Sequence, residues 1–132
     1  MSLGESATPL GKVEGLGSSG HGGEHWLEER FTSVALVLLS LWLIFSLIML
    51  PALDRQMLGE WLRSAWGAVP MALFVVTAFK HGVDGLKVVV DDYVHDEGNR
   101  IGLHYLIAMA GIAGAAASLF ALAKIAFGAP AA

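Results

Sequence analysis

The 132-residue chain contains no cysteine. That absence excludes disulfides, thiolate metal sites, iron–sulfur ligation by this chain and a cysteine nucleophile. Charge is scarce as well: Asp, Glu, Lys and Arg make up 15% of residues, where a soluble domain usually carries about 25%. Nor is there a basic excess. Eight Lys and Arg face twelve Asp and Glu, a net charge of −4, so the electrostatic footprint of a nucleic-acid binder is missing. What stands in their place is apolar surface: 55% of residues are hydrophobic, and mean hydropathy is +0.63. With room for one domain, that balance reads as a small integral membrane protein.

Positions 31–53 and 101–123 each form a run of 23 residues without a charge. A spanning helix needs about 20 mostly apolar residues, so both qualify. Between them, positions 64–79 are uncharged, and an apolar pattern continues to residue 90 around Lys80, Asp84 and Lys87. This middle run spans lipid only if those charges face protein, a cofactor or the interface. The expected fold is all-α, an anchor domain over 25–128 with three transmembrane helices at about 31–53, 64–91 and 101–126, part of a heteromeric helical bundle. Pro51 marks the end of the first helix, and Pro130 lies beyond the third.

Residues 1–24 hold seven glycines with Ser and Pro and no apolar periodicity, and read as a flexible tail. With Glu5 and Glu14 the tail makes a poor transit peptide, so the first helix is expected to serve as an uncleaved signal anchor. Residues 91–100, DDYVHDEGNR, read as a polar connection with a turn at Gly98-Asn99. Three spans put the termini on opposite sides. Lys12, Arg30, Lys87 and Arg100 on one side against Arg55, Arg63 and Lys124 on the other favour a cytoplasmic N-terminus, four cations to three.

The second helix carries the chemistry. At about 100° per residue, His81, Gly85, Val88 and Asp92 share one narrow stripe. A glycine one turn after an imidazole leaves a backbone shelf on which a flat ligand can lie. Neutral imidazole is also the usual axial ligand of haem iron. Periodicity alone leaves two roles open for His81, a ligand or a hydrogen bond to a neighbouring helix. Lys80 and Asp84, at i,i+4, can neutralise each other. Tyr93, twelve residues past His81 and so roughly 18 Å along the helix, falls at the membrane rim with Asp92. On the third helix, Ala108, Gly111, Ala115 and Ser118, or the parallel row Ala110, Gly114 and Ala117, permit close helix packing. Trp26, Trp61 and Trp66 fit interfacial belts, and Trp42 reads as lipid-facing or core filler.

The run from His81 to Tyr93, HGVDGLKVVVDDY, resembles the signature of the small hydrophobic membrane anchor subunit of succinate dehydrogenase, respiratory complex II, in which a pattern close to H-G-x-N-G-L-[RK]-x-[VI]-[VIL]-x-D-Y recurs. His25-Trp26-Leu27-Glu28-Glu29-Arg30-Phe31-Thr32 similarly resembles the family's entry into its first helix, H-W-x-x-x-R-x-T. The resemblance covers about residues 22–128. It implies a membrane anchor of a succinate:quinone oxidoreductase in a bacterial inner membrane, non-catalytic alone. The implied partners are a flavoprotein subunit, an iron–sulfur subunit and a sister anchor, the cytochrome b subunit. By the same resemblance His81 is one axial ligand of a haem b, with Gly85, Arg30 and Lys87 in the haem's vicinity. Tyr93 and Asp92 line a site of ubiquinone reduction, Tyr93 donating a hydrogen bond to a quinone carbonyl. Asp84 departs from the family's usual Asn.

His104 is the other histidine inside an expected span, at a depth differing from that of His81 by roughly 9 Å. The second haem ligand is therefore expected from another chain, which in this family is the cytochrome b sister anchor, with His104 in a polar contact near the interface. Two rival functions stand beside this expectation. One is a haem-free structural anchor of the fumarate-reductase type, and the other a small transporter or channel protein using Lys80, Asp84 and Lys87 as a polar pathway.

Overall fold

The computed structural model describes residues 8–10 and 22–128, so most of the tail assigned to 1–24 lies outside the described residues. From residue 22 on, the described residues form four helices in succession: α1 (Gly22–Ile48), α2 (Arg55–Arg63), α3 (Ala65–Tyr93) and α4 (Glu97–Phe127). No strand occurs among the described residues. Trp26–Ile48 and Glu97–Phe127 are each long and apolar enough to cross a membrane. The pair α2 and α3, bent by 88° at their junction, adds a third if counted as one span.

The helix ends follow local chemistry more closely than they follow the charge-free runs. α1 starts at Gly22, ahead of the expected residue 31, because its polar first turns belong to the same helix. It stops at Ile48 rather than 53. Pro51 disfavours helical geometry in the residue before it, and the last turn tightens through Leu50 N donating to Leu47 O. The expected connection over 91–100 shrinks to Val94, His95 and Asp96. Asp96 is the N-cap of α4, its carboxylate accepting from Asn99 N at 2.9 Å. A cap of this kind satisfies an amide with no partner inside the helix, so Gly98-Asn99 forms a first helical turn and not a reverse turn.

α2 has no counterpart among the expected elements. Asp54 caps it by accepting from Met57 N at 2.8 Å. Ser64 then serves twice: it ends α2, and its hydroxyl caps α3 by accepting from Gly67 N at 3.0 Å. A side chain at Gly67 would overlap the Trp61 carbonyl, so the sharp corner requires glycine there. The corner also brings Trp61 onto Trp42, with ring centroids 5.6 Å apart and planes 22° from parallel. Trp42 is therefore a packing residue between α1 and α2.

α3 is the shared middle element, packing against α1, α2 and α4. Its seam with α4 is close. A Cβ at Gly111 would overlap Val83, and one at Gly114 would collide with the Phe79 ring. Of the two small-residue rows, Ala108, Gly111, Ala115 and Ser118 face inward, whereas Ala110 and Ala117 are exposed. Among the described residues, Leu122 is the one buried large apolar side chain, while Phe31, Leu38, Phe45, Met109 and Phe120 are among the many left exposed. A chain with so little core of its own is built to be covered by lipid and by other helices.

Candidate functional site

Apolar residues bring α3 through the middle of the bundle, and its polar side chains emerge where α1 crosses it. Thr32 of α1 is the most buried polar residue described, 6% exposed. Its Oγ1 lies 3.1 Å from His81 Nδ1 and also 3.1 Å from the Glu29 carbonyl oxygen. One residue before His81, Lys80 donates to Asp84 at 2.9 Å and to Glu28 at 3.0 Å. The i,i+4 partner was legible in the sequence, but Glu28 is supplied by α1. This trio ties α1 to α3 and keeps the ammonium occupied beside the imidazole.

The stripe below His81 faces outward. Gly85, Val88 and Asp92 are exposed, and a Cβ at Gly85 would meet nothing within 4 Å. The bare backbone one turn from the imidazole is thus open to whatever covers this face. A groove of about 390 Å³, lined by Leu27, Glu28, Phe31, Thr32 and Lys80, adjoins the Thr32–His81 pair. A larger apolar groove of about 550 Å³ between α3 and α4, lined by residues including Phe79, Gly82 and Leu86, lies about a third of a turn round α3 from His81. It belongs to a different face.

Arg30, on α1, stacks its guanidinium over Trp26 at 5.5 Å. Lys87 is half-buried on α3. At the C-terminal end of α3, Tyr93 is 78% exposed and Asp92 is exposed beside it. Asp91 points to the α3–α4 turn instead: its Oδ1 lies 3.1 Å from His104 Nε2 and 3.9 Å from Arg100 Nε. His104 Nε2 thus sits beside a carboxylate at the rim without a hydrogen bond to it. Thr32 and Glu28 are the site residues that the sequence alone did not single out, although both stand in the motif entering the first helix.

The donor set suits a haem. An imidazole with one nitrogen hydrogen-bonded inside the protein has the other free for iron, and Gly85 leaves room for a flat macrocycle. Among the described residues, no group of three or more His, Asp or Glu is placed to hold a bare metal ion.

Apolar helices with little core of their own among the described residues, carrying a histidine held by Thr32, define a membrane subunit of a larger assembly. The chain belongs to the succinate dehydrogenase/fumarate reductase transmembrane subunits, whose family model matches residues 5–122. The succinate dehydrogenase hydrophobic membrane anchor subunit of Paracoccus denitrificans is 30% identical over 122 residues, 92% of this chain and 94% of the relative. That of Rickettsia bellii (strain RML369-C) is 32% identical over 83 residues, 63% of this chain and 66% of the relative, just under two thirds of its length. No solved structure matches the chain.

Proposed function

We propose that this chain is the small hydrophobic anchor of a bacterial inner-membrane succinate:quinone oxidoreductase, crossing the bilayer three times with its N-terminus in the cytoplasm. It holds the flavoprotein and iron–sulfur subunits at the membrane beside the cytochrome b sister anchor. It shares a haem b with that sister anchor and completes the pocket in which ubiquinone is reduced. The observation that carries this reading is His81, an imidazole on an apolar helix whose Nδ1 is held by Thr32 above the open backbone of Gly85. That the stripe from Gly85 to Asp92 is exposed supports a second haem ligand that another chain would supply.

The residues divide the work. His81 would hold the haem, which when bound supplies a one-electron store. Arg30 and Lys87 offer cationic charge for its propionates. Tyr93, at the end of α3, donates its phenolic hydrogen to a quinone carbonyl and so orients the ring. Asp92, next to it, polarises that hydroxyl or passes protons inward. Reduction of the quinone to quinol takes two electrons, arriving one at a time from the iron–sulfur subunit, and two protons from the cytoplasmic side.

The experiment is Tyr93→Phe in the complete complex. Succinate–ubiquinone reductase activity is expected to fall, while succinate oxidation by an artificial soluble acceptor stays near wild type. Unchanged ubiquinone reductase activity would remove Tyr93 from the quinone site, whereas equal loss in both assays would point to failed assembly.

A further inference from the structure

The geometry assigns Thr32 a role of its own: it is the positioning residue that sets the tautomer of His81. The inference rests on His81 as a haem ligand and names what orients it. A hydroxyl has one hydrogen to give. The Thr32 Oγ1 stands 3.1 Å from the Glu29 carbonyl, which only accepts, and 3.1 Å from His81 Nδ1. A helical threonine commonly bonds back to the preceding turn. With its hydrogen on Glu29 O, Thr32 offers the ring a lone pair, and the contact with His81 is a hydrogen bond only when Nδ1 carries the proton. In a neutral imidazole that leaves Nε2 bare, the form a metal takes. The opposite orientation, Thr32 donating into Nδ1, places the ring proton on Nε2, where it blocks iron.

The surroundings favour a dedicated contact. Thr32 is 6% exposed, so water does not compete for its oxygen. The ammonium of Lys80, one residue before His81, is bonded to Glu28 and Asp84. Ser33, next in sequence, donates to Glu29 O at 2.7 Å and takes no part in holding the ring. Donation from Nδ1–H into an acceptor fixes the ring's plane and raises its basicity. Partners of this kind are typically worth about 10–100-fold in metal affinity.

The test compares Thr32→Val, Thr32→Ser and His81→Leu in the complete complex purified in detergent. It follows haem loss to apomyoglobin and the reduction midpoint of the b-type band. Thr32→Val keeps the band but is expected to lose haem about tenfold faster, with a raised midpoint because a weaker donor favours ferrous iron. Thr32→Ser restores wild-type behaviour on both counts. Where valine prevents assembly, Thr32→Ala gives the same readouts without added bulk. A valine or alanine variant with wild-type haem loss and midpoint, beside a His81→Leu variant that has lost its band, overturns the role of Thr32 and leaves the ligand standing. A serine variant that behaves like valine overturns it too, because the methyl and not the hydroxyl then matters. An unchanged band in His81→Leu overturns the ligand reading itself.

Discussion

Replacing Gly111 by alanine adds one methyl at the closest approach of α3 and α4. Built on the present backbone, that methyl overlaps Cγ2 of Val83. Val83 has little freedom to step aside, since a β-branched side chain in a helix keeps one χ1 rotamer about 90% of the time. The two helices must separate instead. In lipid no hydrophobic drive pushes them back together, so van der Waals packing is what is lost. Overpacking by a methyl typically costs about 1–3 kcal/mol, which lowers the ratio of assembled to unassembled anchor by roughly 5- to 150-fold. The assay is the amount of anchor in membranes and the thermal midpoint of the purified complex, for Gly111→Ala, Val83→Ala and the double variant. Removing the Val83 methyls takes away the obstacle, so the double variant should recover about 0.5–3 kcal/mol relative to the sum of the single losses. Strictly additive losses would refute the packing assigned to this seam.

Lys80→Gln strands Glu28 and Asp84 without their cation, whereas Asp84→Asn leaves Lys80 paired with Glu28 at 3.0 Å. Because Lys80→Gln leaves two carboxylates without a cation on apolar helices while Asp84→Asn leaves none, and unpaired charge inside a membrane is costly, Lys80→Gln should lower the thermal midpoint more than Asp84→Asn does; the reverse order would contradict the shared-cation arrangement. Gly67→Ala sets a methyl against the Trp61 carbonyl, a backbone group that no rotamer change removes, so the corner at Ser64 must open at a cost of about 1–3 kcal/mol or more. Near-ultraviolet circular dichroism should then lose the contribution of the Trp42–Trp61 stack, and an unchanged spectrum with unchanged stability would count against the bend.

Much of the helical layout was legible because lipid imposes a length on apolar runs, and the three runs in the sequence correspond to α1, α3 and α4. Their ends were harder. Asp96 and Asp54 are both acceptors placed three residues before the amide they cap. The first was hidden by an adjacent Gly-Asn pair that also reads as a turn. The second opens a helix of nine residues, too short for periodicity to stand out. In the site, the stripe of His81, Gly85 and Asp92 follows from 3.6-residue periodicity alone, as does the pairing of Lys80 with Asp84. What one sequence does not carry is the register between helices. Thr32 lies 49 positions from His81, and Glu28 lies 52 from Lys80; only the packing of α1 on α3 brings each pair together. The small-residue rows on α4 were likewise visible, but which of them faces α3 depends on the rotation of a helix that is apolar all round.

The most direct test is the dithionite-reduced minus oxidised optical spectrum of the detergent-purified complex, recorded for wild type and His81→Leu side by side. A b-type band is expected in the wild type and shifts or vanishes in the variant. A wild-type complex without such a band would contradict haem ligation by His81 and leave a haem-free anchor in its place.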